Sequence, residues 1–189
     1  MPPSVLRTTR LTLVPLGEEH LEHEVELDSD PEVMRYLEPR PRTRAQVEEA
    51  HCRRLALRAE APGLGFWVGI LDGDPVGWWL LDVVRDDEQQ RVPDEAELGY
   101  RLLRRYWRRG LAGEGARELL RYGFTDLGLT RVIARTMAVN AGSRATMTSV
   151  GMVHVRDFPV DFDEPVPGAE HGEVEYAITR EQWLRRQRP

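Results

Sequence analysis

The chain of 189 residues has no lysine: all 26 basic side chains are arginine, against 32 acidic ones, for a formal charge of −6. Without a lysine amine there is no Schiff-base catalysis, no pyridoxal attachment and no Walker A phosphate loop. Cysteine is nearly absent too. Cys52 stands alone, which excludes an intrachain disulfide and a cysteine-based zinc site and points to a reducing compartment. No stretch approaches 18 consecutive apolar residues, and Met1-Pro2-Pro3-Ser4 offers no apolar signal core. The expectation is a soluble, cytoplasmic protein without a membrane partner. The acidic balance argues against nucleic acid as a partner, which calls for a basic surface overall.

What is present suits one domain over residues 1–189, since 41% hydrophobic residues can fill a sizeable core. Thr8–Pro15 alternates like a half-buried strand. Glu18–Leu27 and Pro31–Leu37 read as short helices, the second capped by Asp30, and Thr43 opens a longer one over Arg44–Glu60. Gly65–Leu71 and Pro75–Val84 are strands joined by Asp72-Gly73-Asp74, a hairpin signal. Residues 85–95 read as a polar loop. Ala96–Leu103 is a strand, Ala112–Leu127 a helix, Arg131–Val139 a strand and Ala141–Val150 a helix. Val153–Val160 and Glu173–Thr179 close the chain as strands. This is an α+β domain with one central mixed sheet, the pair 96–103 and 131–139 being parallel.

The charge is uneven. Arg101, Arg104, Arg105, Arg108, Arg109 and Arg117 crowd one region, opposed locally by Glu114. They frame Tyr106-Trp107-Arg108-Arg109-Gly110-Leu111-Ala112-Gly113-Glu114-Gly115, which leaves a strand, turns and opens a helix. Glycines there let the backbone approach a ligand, and a helix start adds unpaired N–H donors and a positive dipole end. Together these make a pyrophosphate site. The glycines read equally as helix caps and packing positions, and the arginines as a solvated face. A dinucleotide fold fits poorly, because it places G-x-G-x-x-G after the first strand.

Trp107-Arg108-Arg109-Gly110-Leu111-Ala112 resembles the acetyl-CoA loop of the GNAT N-acetyltransferase superfamily, Q/R-x-x-G-x-G/A. Its Trp is a departure found in the branch of ribosomal-protein N-terminal acetyltransferases (Rim-type). Thr9–Leu16 resembles that branch's first strand and Leu98-Gly99-Tyr100-Arg101-Leu102 its fourth. Asn140-Ala141-Gly142-Ser143 with Gly151-Met152 resembles its N-x-x-S…G-F segment, Met replacing Phe. The likeness runs from about Leu6 to Trp183. It implies the GNAT fold, whose sheet is splayed between strands 4 and 5, with acetyl-CoA as cosubstrate and no metal. Arg108, Arg109, Gly110, Leu111, Ala112 and Gly113 would cradle the CoA pyrophosphate. Leu102 and Leu103 would pair with the pantetheine arm. Asn140 and Ser143 would lie beside the thioester, Ser143 protonating the departing thiolate. Glu97, on the fourth strand, would be the base.

The implied activity is acetyl transfer to a primary amine, a protein N-terminal α-amine or a small-molecule amine, by direct attack in a ternary complex. Transfer of another acyl group such as succinyl, or a non-catalytic CoA-binding sensor, are the alternatives. Deprotonating an α-amine (pKa about 8) at pH 7 costs roughly 1.4 kcal/mol, and a lysine amine roughly 4.6 kcal/mol. An α-amine therefore asks for little more than a water path. The acidic run Asp157, Asp161, Asp163, Glu164, Glu170 and Glu173 reads either as a long loop kept soluble by its charges or as a field that draws in a cationic acceptor. Similar proteins are often homodimers. His20 and His23 read as part of a solvated helix face rather than a metal pair; His171, near the expected acceptor loop, reads first as an ordinary side chain, with proton relay the lesser alternative. Trp67, Trp78 and Trp79 read as core or sheet-face packing, with one of them lining the acceptor pocket as the lesser alternative.

Overall fold

The computed structural model describes residues 4–86, 88–160 and 164–187. Eight strands form one sheet in the order β1-β2-β3-β4-β5-β6-β8-β7. They are β1 (Leu6–Arg7), β2 (Thr12–Pro15), β3 (Gly65–Leu71), β4 (Asp74–Arg85), β5 (Arg91–Leu102), β6 (Arg131–Met137), β7 (Val153–Phe158) and β8 (Glu173–Thr179). The helices are α1 (Leu21–Asp28), α2 (Pro31–Met34), α3 (Arg44–Glu60), α4 (Leu111–Thr125), α5 (Ala141–Ser149) and α6 (Arg180–Arg186). The β3–β4 hairpin closes on Asp72 and Gly73, both at positive φ (53° and 93°). That geometry matches the right-handed twist of the strands it joins.

Antiparallel pairing runs through β1–β5 and again through β6–β8–β7. A short parallel contact joins the halves, in which Glu95, Ala96 and Glu97 pair with Arg131, Val132 and Ile133. Beyond it β5 continues against β4 to Leu102, while β6 continues against β8 to Met137. The sheet is therefore split along the last residues of β5, as the family likeness implies.

Alternation along β5 divides its side chains between two layers. Leu98 and Leu102 join Trp79, Leu81, Leu111, Leu119 and Phe124 in the larger core, with Tyr100 packed against it. Arg101 lies on the opposite face beside Trp78, which packs with Leu16, Leu27, Val33 and Phe66. Helix α4 covers the first face and α1–α3 the second.

The elements depart from the sequence reading in four places. Thr8–Pro15 is not one strand throughout: the Thr8 N–H donates to the Leu11 carbonyl (2.9 Å) in a turn after β1, and the strand, β2, begins only at Thr12. The second helix ends at Met34 rather than Leu37. The polar loop shrinks to a turn, because Asp86 accepts from the amides of Glu88 and Gln90 and lets β5 begin at Arg91. Finally, α6 follows β8, opened by a capping box in which Thr179 and Gln182 satisfy each other's amides. Its Trp183 packs on Phe124, ring centroids 5.6 Å apart.

Candidate functional site

The segment after β5 makes a single 3-10 turn at Arg104–Tyr106 and then enters α4. Arg108 (φ 57°) and Gly110 (φ 75°) both adopt the left-handed region, the latter as the N-cap. The first helical donation from this end is Glu114 N–H to the Gly110 carbonyl, 3.0 Å. The amides of Leu111, Ala112 and Gly113 precede it, so they are helix-start donors without an intrahelical acceptor. Glycine brings this helix against the sheet as well. A Cβ on Gly115 would stand 2.4 Å from the Trp79 ring, and the Trp79 indole donates to the Ala112 carbonyl at 3.0 Å. A left-handed turn, three free amides and a helix dipole suit a diphosphate, so the residues present fit the phosphates of CoA.

The split edge of β5 leads to this loop. Leu103 N–H donates to the Val76 carbonyl and its own carbonyl accepts from Tyr106, both at 2.9 Å. Its main chain is thus committed to β4 and the turn. By alternation the main-chain groups of Leu102 and Tyr100 turn toward the split. The Leu102 carbonyl there accepts from the Trp107 indole at 2.7 Å. A strand-like partner would therefore find Leu102 and Tyr100 rather than the expected Leu103, whose side chain is buried in the second core.

Asn140 caps α5, its Oδ1 accepting from Ser143 N–H at 3.1 Å while its Nδ2 donates to Thr136 Oγ1 at 3.1 Å. Ser143 lies in the first turn of α5, and its hydroxyl is 3.1 Å from the Tyr100 hydroxyl, which also donates to the Ser143 carbonyl at 3.1 Å. Burial pushes the Tyr100 phenol up to about 12, outweighing the hydrogen bonds from Ser143 and Thr146, so it stays a proton donor. Sequence reasoning missed Tyr100, although it stands inside Leu98–Leu102.

Glu97 is on the other face of β5, opposite Asp82. Its carboxylate lies 3.4 Å from Arg135. Burial raises its pKa above the usual carboxylate range; Arg135 lowers it, and Asp82, Glu173 and Glu175 raise it further. Burial outweighs the ion pair, and Arg135 is also shared with the buried Glu175. The structure thus gathers Ser143, Asn140 and Tyr100 together and sets Glu97 across the strand from them.

The arginine group predicted to hold an anion is divided. Arg101 points away to Asp28 and Arg105 pairs with Glu26. Arg109 stacks on Tyr106 at 5.3 Å, while Arg104, Arg108 and Arg117 are exposed. Glu114 is bound not by that group but by Thr8 and Arg10.

Nor is the first helix a solvated face. His23, Glu24 and Asp28 are buried. Glu24 meets His51 and Arg54; Asp28 meets Arg42, Arg54 and Arg101. Both Arg54 and Arg101 stack on Trp78, at 5.4 and 4.9 Å. Trp78 therefore belongs to the α1–α3 side, whereas Trp67 and Trp79 are core residues. Burial lowers the His23 pKa against the raising effects of the Gly77 main chain, Glu26 and Glu24, so the ring is neutral near pH 7. His171 is exposed beside Glu170. Of the acidic run, Asp161 and Asp163 lie outside the described residues; Glu164 reaches Arg40 at 3.8 Å, and Asp157 lies 3.3 Å from His154.

A helix start with unpaired amides beside a split strand edge is the arrangement that the likeness to the acetyl-CoA loop leads one to expect. Residues 10–153 match the acetyltransferase (GNAT) domain family. The chain is 46% identical over 187 residues to the FsC-acetyl coenzyme A-N(2)-transacetylase of Aspergillus fumigatus, covering 97% of this chain and 80% of the relative. The chain belongs to the GNAT acetyltransferases and is an acetyl-CoA-dependent N-acetyltransferase. Solved structures share the fold, among them two with CoA bound. The ribosomal L7/L12 α-N-protein acetyltransferase RimL in complex with coenzyme A superposes at TM-score 0.76, 14% identical over 93% of this chain and 98% of that one. The spermidine N-acetyltransferase of Vibrio cholerae, in complex with CoA and spermine, also gives 0.76, at 17% identity over 93% and 99%.

Proposed function

We propose that the acceptor is a primary amine of the α-amine class, on a small molecule or a protein N-terminus, attacked directly in a ternary complex. The observation that carries this is the Tyr100–Ser143 hydroxyl pair at the head of α5, beside the open edge of β5. In this reading the main chain from Arg108 to Gly113 holds the CoA pyrophosphate, and Leu102 and Tyr100 pair with the pantetheine arm. Asn140 fixes the first turn of α5, and Ser143 Oγ moves a proton to the leaving sulfur. A phenol at about 12 lies well above a thiol at about 8.5, and an aliphatic hydroxyl is a weaker acid still, so neither side chain gives up a proton of its own: Tyr100 and Ser143 orient and relay one, with Ser143 Oγ passing it to the sulfur. The proton that balances the reaction comes from the amine nitrogen as it becomes an amide. An amine of pKa about 8 releases it readily at neutral pH.

The name of the Aspergillus relative, an N(2)-transacetylase, supports an acceptor more specific than lysine side chains at large. The chain's net charge of −6 favours a cationic one. Turnover with a panel of α-amines, polyamines and lysine peptides tests the reading. Ser143→Ala should lower kcat by about 10²-fold for the preferred amine, the low end for a general acid, with acetyl-CoA affinity within about twofold of the parent. Preference for a lysine side chain, or an unchanged kcat in Ser143→Ala, would overturn it.

A further inference from the structure

We propose that Arg10, at the β1–β2 turn, is a positioning residue for the phosphate loop and sets acetyl-CoA affinity through Glu114. The inference rests on reading residues 108–113 as the pyrophosphate cradle. Glu114 sits in the first turn of α4, largely buried. Its Oε1 accepts from Thr8 Oγ1 at 2.6 Å and from the Arg10 amide at 2.8 Å; its Oε2 accepts from Arg10 Nε at 2.7 Å and lies 2.6 Å from Nη2. The remaining guanidinium nitrogen, Nη1, donates to the Arg109 carbonyl at 3.0 Å. One side chain thus ties the turn to both the helix start and the loop ahead of it.

Two consequences follow. The first is geometric. In a trans peptide the C=O of Arg109 and the N–H of Gly110 point in opposite directions. Holding that carbonyl against Arg10 aims the Gly110 N–H away from it. The second is electrostatic. A carboxylate in the first turn favours the helix, yet it stands beside the place where an anion must bind. Burial pushes the Glu114 pKa up, but the hydrogen bonds of Thr8 and Arg10 outweigh it and hold the pKa below the usual carboxylate range. The group is therefore charged at neutral pH, and Arg10 is what offsets that charge.

The test compares acetyl-CoA binding by calorimetry with steady-state kinetics for folded variants. Arg10→Ala should raise Kd and KM for acetyl-CoA about tenfold, leaving kcat at saturation unchanged. Arg10→Lys keeps the charge but not the fork, so it should lose about threefold. Adding Glu114→Gln to Arg10→Ala should recover most of the affinity, a rescue that a merely structural loss would not show. A double variant as weak as Arg10→Ala overturns the electrostatic argument. Parent-like affinity in Arg10→Ala, while Gly110→Asp has lost binding, overturns the proposal alone. Parent-like affinity in both overturns the reading of the loop itself.

Discussion

On the α4 side of the sheet, Trp79, Leu81, Leu98, Leu111 and Leu119 meet in an apolar core. The groups free for a ligand there are main-chain amides at the head of α4 and the open edge of β5. On the α1–α3 side, Glu24, Asp28, His51 and Arg54 are buried among Leu27, Phe66 and Trp78. The first layer recognises with backbone, which every residue carries, so it depends on where glycine allows the chain to turn. The second is built from side-chain charges that satisfy one another across three elements. In the proposed reading only the first is the cofactor half. Breaking each half should give a different signature.

The largest effect is expected at Asp28. Its carboxylate meets Arg42 at 3.3 Å, Arg54 at 3.3 Å and Arg101. Removing one partner from a buried ionic network leaves unmatched charge in a poorly solvated place. Asp28→Ala should cost about 3–5 kcal/mol of stability in urea unfolding. Acetyl-CoA affinity of the folded fraction should stay within about twofold of the parent. A large affinity loss would mean that the two halves are not separable.

These halves were unequally legible in the sequence. The loop at 107–112 stood out because its glycines and its likeness to the family's loop lie in one continuous stretch, and the structure gives one of those glycines its reason, Gly110 being a left-handed N-cap. Asn140 and Ser143 were reached through their likeness to the family's N-x-x-S segment, and the structure shows why that segment is local: the Asn140 side chain accepts from the Ser143 amide three positions on. Tyr100 was not, since its hydroxyl partner is 43 residues away and no local spacing reports such a pair. Leu103 was assigned to the split because a strand's end does not say which edge each residue faces; the bond to Val76 decides it. In α1, Leu21–Asp28 reads as a polar surface helix until Arg54 and Arg101 arrive from α3 and β5 to bury its carboxylates. The Thr179–Gln182 capping box was visible, and α6 could have been read from it.

A smaller, two-sided effect is expected at Gly115. Any Cβ there stands 2.4 Å from the fully buried Trp79 ring. Overpacking costs about 1–3 kcal/mol, offset by up to about 1 kcal/mol of helix propensity. Gly115→Ala should therefore be net destabilising in urea unfolding. Because α4 must move off the sheet and carry the phosphate loop with it, acetyl-CoA affinity should fall too. A variant that lost stability but bound normally would show that the loop is held by Arg10 and Glu114 alone.

The smallest effect, and the one that bears on the acceptor side, is expected at Glu97. Burial, with Asp82, Glu173 and Glu175 nearby, lifts its pKa above the ordinary carboxylate range despite Arg135. A group whose folded pKa exceeds its unfolded value of about 4.3 contributes stability below that value and loses it as pH rises through the folded pKa. Ionised Glu97 is thus a mild liability at pH 7, and Glu97→Gln should gain stability relative to the parent between pH 4 and pH 7. The same elevation suits a base. If Glu97 accepts the amine proton, kcat/KM for the acceptor should fall on the acid side at a pH above that of a free carboxylate. Glu97→Gln should abolish that limb, and Arg135→Gln, by removing the lowering charge, should move it upward. A limb unmoved in both variants, with the stability gain still present, would make Glu97 a strained strand carboxylate and leave the amine proton to water.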